Sequence, residues 1–126
     1  FSPDAVAAFS TVDVERLTHD PGIIRNRRKI EAAISNAHAT LAMRNTSEAT
    51  DGPSHLGEFV WSYRPTRDPR PRSHNEVPTQ LPESVALAAD LKSRGFKFVG
   101  PTTMLALMAA IGIVNTDIVG THRRPR

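Results

Sequence analysis

The stretch Lys92-Ser93-Arg94-Gly95-Phe96-Lys97-Phe98-Val99-Gly100-Pro101-Thr102-Thr103 decides how the chain is read. A helical pattern enters it from Glu83, with Val85, Leu87, Ala88 and Leu91 inward, and stops at Gly95. Glycine suits the left-handed residue that closes a helix. Pro101 then opens a second helix at the position where a missing N–H does no harm. Met104, Leu105, Leu107, Met108 and Ile111 wrap much of that helix, which predicts burial, and Gly112 ends it. Residues 83–112 therefore read as a helix-hairpin-helix. Phe96, Phe98 and Val99 are expected to lock the corner, and Gly100 to let the backbone approach something closely. The amides of Gly100, Thr102 and Thr103 would lie at a fresh helix N-terminus, where unpaired N–H groups and the dipole favour an anion. Lys97 would protrude at the tip. Together these features describe a clamp for nucleic-acid phosphates that is blind to sequence. The alternative is an ordinary helix connection with glycine caps.

Outward from this corner, five or six helical patterns appear and no strand does. Ser2 with Pro3 and Asp4 predicts a first short helix, and Thr11 a cap for a second that Asp20-Pro21-Gly22 stops. The longest helix spans roughly Arg25 to Arg44, with Ile30, Ala33, Ile34, Ala37 and Leu41 as its apolar stripe. Arg25, Arg27, Arg28 and Lys29 oppose the dipole at its start. They either pair with Asp20, Glu31 or acidic groups elsewhere, or face phosphate. Asp51-Gly52-Pro53 reads as a turn, and Ser54 as the cap of a short helix that sends Trp61 into the core. Residues 64–82 hold Pro65, Pro69, Pro71, Pro78 and Pro82 beside Arg64, Arg67, Arg70 and Arg72. Proline at that density predicts a surface loop, either a solvated linker or a nucleic-acid-contacting arm.

Composition bounds the rest. The 126 residues are one domain's worth at most, with 39% apolar residues and a net charge of +3. That charge permits an anionic partner without requiring one. With no cysteine, the chain makes neither a disulfide scaffold nor a thiol nucleophile. The longest apolar run, Met104 to Val114, has eleven residues, where a membrane span needs about 20. A start at Phe1 predicts a fragment or a processed chain.

Four blocks, in order, resemble the bacterial DNA-3-methyladenine glycosylase I family. They are Asp20-Pro21-Gly22-Ile23-Ile24-Arg25-Asn26-Arg27 with Lys29-Ile30 and Ala37; Phe59-Val60-Trp61-Ser62-Tyr63; the stretch from Lys92 to Thr102; and Met108-Ala109-Ala110-Ile111-Gly112-Ile113-Val114-Asn115. The resemblance implies an all-α helix-hairpin-helix glycosylase fold in a cytoplasmic bacterial protein. The implied activity is hydrolysis of the N-glycosidic bond of 3-methyladenine in double-stranded alkylated DNA, with the damaged base flipped out of the stack. Gly95, Lys97, Gly100, Thr102 and Thr103 would then contact the phosphate backbone.

The match is incomplete. The family's N-terminal region, with its pocket aromatics, its base-contacting Glu and its Gln-Ala-Gly-Leu-Ser-Trp segment, has no counterpart here. The chain is expected to lack the pocket, to be inactive alone and to carry no catalytic residue. Its unpartnered apolar faces are expected to seek a missing segment or another copy. The family's zinc pattern, Val-Asn-x-His-x-x-x-Cys, falls on Val114-Asn115-Thr116-Asp117-Ile118-Val119-Gly120-Thr121, with Asp117 and Thr121 in place of His and Cys. No metal site is expected. A non-catalytic DNA-backbone-binding module is the main alternative; a helical interaction domain without a DNA role is another.

Overall fold

The computed structural model describes residues 2–47 and 55–123, and these are all-α, with no strand among them. The helices are α1 (Pro3–Ala7), α2 (Thr11–Thr18), α3 (Arg27–Ser47), α4 (Leu56–Trp61), α5 (Pro82–Ser93) and α6 (Pro101–Ala110), with a 3₁₀ turn at His74–Glu76. The expected turn at 51–53 and the Ser54 cap lie outside the described residues.

The described residues form two compact units, one from those within 1–56 together with 91–98, the other from 57–90 together with those from 99 onward. In the first, α1 and α2 pack on α3. Ser2 is the N-cap of α1, with Pro3 in its first turn. The cap of α2 is Ser10, one residue before the expected Thr11. Asp13, three residues on, settles the position: its Oδ2 accepts the Ser10 backbone N–H at 3.0 Å and the Ser10 hydroxyl at 3.4 Å. Asn26 caps α3, accepting the Lys29 N–H on Oδ1 at 3.3 Å. The α3 stripe differs from the expectation. Ile30 and Ala37 are buried as expected, but Ala33 is exposed, while Ala32, Ala39 and Met43 are buried. A helix packed by several neighbours buries more than one face, so a single stripe does not describe it.

The second unit buries Phe59, Val60, Leu87, Ala88, Val99, Met104, Leu105, Met108, Ile113 and Val114. Trp61, expected in the core, is 44% exposed. Phe59 and Val60 take the inward side of a six-residue helix, and the next residue is turned about 100° away. Val85 is likewise 44% exposed, because Ser84, Leu87, Ala88 and Leu91 form the inward row of α5. Ser84 is wholly buried, and its hydroxyl accepts the Leu81 N–H at 2.9 Å and donates to the Leu81 carbonyl at 3.0 Å. Its polarity is therefore satisfied at the start of the helix.

Candidate nucleic-acid interface

The corner is built by a helix cap. The Gly95 N–H donates to the Lys92 carbonyl at 3.0 Å and the Phe96 N–H to the Leu91 carbonyl at 3.1 Å. This is the Schellman pattern, which needs a left-handed residue; Gly95 supplies φ +91°. Leu91 and Phe96, the pair that packs across such a cap, are both buried. The same pattern ends α6, where the Ile113 N–H donates to the Met108 carbonyl at 2.9 Å and Gly112 has φ +86°.

Beyond the cap, Asn36 of α3 reaches across the first unit to Lys97. Asn36 Oδ1 accepts the Lys97 N–H at 2.8 Å, and Asn36 Nδ2 donates to the Lys97 carbonyl at 3.1 Å. The Lys97 backbone is thereby satisfied, and its side chain is exposed. The expectation for Phe98 is corrected. Phe96 and Val99 are buried, but Phe98 is 57% exposed with φ +59°. A bulky residue in the left-handed region is strained. It persists because its neighbours are held, Lys97 by Asn36 and Phe96 and Val99 by burial. Neither Asn36 nor the strain at Phe98 was read from the sequence, since a partner 61 positions away leaves no local signal.

The second unit begins again at Val99 and carries the start of α6. Gly100 is the N-cap of α6 at φ −65° and ψ 161°, a conformation open to any residue. A Cβ built on it would meet nothing within 4 Å, so the backbone here is open to an outside group. Thr102 and Thr103 are exposed in the first turn, and their amides have no partner among the described residues. Gln80 Nε2 donates to the Thr102 hydroxyl at 3.4 Å.

The cations around the start of α3 divide. Arg27 pairs with Glu15 and, at 3.8 Å, with Glu31. Asp20, an expected partner, instead accepts the Gly22 N–H at 2.8 Å. Arg25, Arg28 and Lys29 are exposed.

The segment matching the family's zinc pattern departs from it at two positions. Its donors are Asp117 and Thr121, and the Thr121 hydroxyl donates to the Ile118 carbonyl at 2.8 Å. The segment is tied to the proline-rich loop: Asp68 Oδ1 accepts the Asn115 N–H at 3.0 Å, and the Val119 N–H donates to the Pro71 carbonyl at 2.8 Å.

The family model for methyladenine glycosylase matches residues 1–124. The chain is 43% identical over 122 residues to DNA-3-methyladenine glycosylase 1 of Escherichia coli, covering 95% of this chain and 62% of that protein. It is 36% identical over 121 residues to DNA-3-methyladenine glycosylase of Haemophilus influenzae, covering 94% and 62%. A crystal structure of 3-methyladenine DNA glycosylase I superposes with a TM-score of 0.85 at 43% identity, over 98% of this chain and 65% of the other. The Staphylococcus aureus 3-methyladenine DNA glycosylase I superposes with a TM-score of 0.82 at 28% identity, over 98% and 64%. The chain thus spans about three fifths of the curated relatives, at 62% of each. A match along nearly the whole of its length, carrying the glycine-capped corner with it, shows that the chain belongs to the methyladenine glycosylase family.

Proposed function

We propose that this chain is the hairpin-bearing part of a bacterial, cytoplasmic DNA-3-methyladenine glycosylase, an enzyme that hydrolyses the N-glycosidic bond of 3-methyladenine in alkylated duplex DNA. The family match over residues 1–124 carries the reading, and bacterial relatives support the setting. No helix among the described residues is long and apolar enough to cross a membrane.

A methylated purine is positively charged and already a good leaving group. Catalysis then rests more on binding and orientation than on a strong general acid. The part assigned to this chain is orientation. Lys97 supplies a cation, and the amides of Gly100, Thr102 and Thr103 supply donors, for DNA phosphates. Asn36 fixes the Lys97 backbone, so the tip does not have to be ordered on binding. No catalytic residue is assigned within these residues. The 115–121 segment is proposed to be held by Asp68 and Pro71 without zinc.

The test is release of 3-methyladenine from methylated duplex DNA. It compares the chain alone with a chimera completed by the part of the Escherichia coli relative that it does not span. Release is expected from the chimera, not from the chain alone, and is expected to fall in the chimera carrying Lys97→Ala with Gly100→Ala. A folded chimera without activity, or activity untouched by those substitutions, would overturn the proposal.

A further inference from the structure

We infer that the proline- and arginine-rich loop between α4 and α5 is a second, separate contact for the phosphates of duplex DNA, presented by Arg64, Arg67, Arg70 and Arg72. The inference rests on the glycosylase reading for the identity of the partner and on different residues for its geometry.

Four guanidiniums fall within nine positions, and all four residues are exposed. Like charges so close repel, and a surface normally relieves this with carboxylates. Here the two carboxylates within the loop are used otherwise. Asp68 accepts the Asn115 backbone N–H, and Glu76 Oε2 accepts the Arg72 backbone N–H at 2.7 Å. None of the four arginines has an ion-pair partner among the described residues. The acids thus shape the loop and leave the guanidiniums to an outside anion.

The loop is also held in place, unlike a flexible linker. Pro71 is buried and its carbonyl accepts the Val119 N–H, while Asp68 ties the loop to Asn115. Pro65, Pro69 and Pro71 each fix one φ. A loop ordered in advance loses little entropy on binding. Guanidinium groups suit phosphate oxygens, which they bind through paired N–H donors. Duplex DNA is the partner with which this family already works, and it offers phosphates at regular spacing on both sides of a lesion.

The experiment is a titration of fluorescent duplex DNA at salt concentrations from about 50 to 200 mM. The parent chain is compared with a variant carrying Arg64→Gln, Arg67→Gln, Arg70→Gln and Arg72→Gln, and with the matching four Arg→Lys substitutions. Each phosphate contact contributes about 0.9 to the slope of log K against log salt. The Gln variant is expected to lose roughly 2 to 4 of that slope, and the Lys variant to keep it. Thermal melts verify folding; should the fourfold Gln variant not fold, the single substitutions are read instead, each expected to lose about 0.9. An unchanged slope in folded Gln variants, with weaker binding by Lys97→Ala, overturns the loop contact and leaves the hairpin standing. A slope lowered by the loop variant but untouched by Lys97→Ala with Gly100→Ala supports the loop and overturns the hairpin clamp. Failure of the parent to bind duplex DNA overturns both.

Discussion

Asn36 and Lys97, 61 positions apart, are joined by a two-point hydrogen bond between one side-chain amide and one residue's backbone N–H and carbonyl. The pairing satisfies a turn residue that no helix ladder reaches, and it does so from the longest helix of the same unit. Asn36→Ala removes both bonds at once and is expected to destabilise by about 1–3 kcal/mol. Asn36→Asp does not rescue it: the acceptor survives, but the second oxygen is aimed at the Lys97 carbonyl. Urea denaturation measures the loss, and hydrogen exchange at the Lys97 amide should accelerate in both variants. Unchanged exchange there would remove Asn36 from the support of the tip.

The two glycines that bracket the corner are present for different reasons. Gly95, at φ +91°, satisfies the chain's own geometry, so Gly95→Ala is expected to destabilise by about 1–2 kcal/mol. Gly100 has an ordinary φ and open space where a Cβ would go. Gly100→Ala sets a gain of up to about 1 kcal/mol through the unfolded state against the poorer N-cap that alanine makes, so its net effect on stability is expected to be smaller than that of Gly95→Ala. On the proposed function it should nonetheless weaken duplex DNA binding, because the added methyl occupies the space a phosphate needs. Melting curves and a DNA titration on the same two variants separate these roles. Equal loss of stability at both sites would contradict the assignment.

Much of this was legible because it is local. Gly95, Pro101 and Gly112 act through the φ they permit and the N–H they lack, so helix ends and the corner follow from residue type alone. Ser2 with Pro3 is legible in the same way. What escaped depends on distant neighbours. Asn26 and Ser84 are small polar residues whose roles appear only when the backbone groups they satisfy are known. Asn36 has its partner in another part of the chain. Apolar character alone placed Trp61, Val85, Phe98, Leu107 and Ile111 inside, yet position around a helix or a positive φ turned each toward solvent. Nor does the proline-rich loop show in sequence that its acids serve its own backbone and that of Asn115.

The inward face of α5 gives a direct check on that rotation. Leu87 is fully buried and Val85 is not. Leu87→Ala is expected to cost about 2–5 kcal/mol through lost burial and the cavity left behind. Val85→Ala, on the flank of the same helix, should change stability by no more than about 0.5 kcal/mol. Chemical denaturation of the two variants decides the register. Comparable losses would mean that α5 is rotated from the position described.

Acid titration tests the cap of α2. The hydrogen bond from the Ser10 backbone N–H holds the Asp13 carboxyl below its ordinary value; desolvation, the next largest influence, opposes it, and Arg16, 3.3 Å away, adds a smaller lowering. A carboxyl depressed in the folded state is protonated first in the unfolded chain as pH falls. Its contribution is therefore whole above the unfolded value of about 4. It declines below that and is gone once pH has dropped through the folded value. Urea midpoints followed from about pH 6 to about pH 2 should fall more steeply for the parent chain than for Asp13→Asn, which cannot ionise. Parallel curves would show that the Ser10–Asp13 pair contributes nothing to the stability of α2.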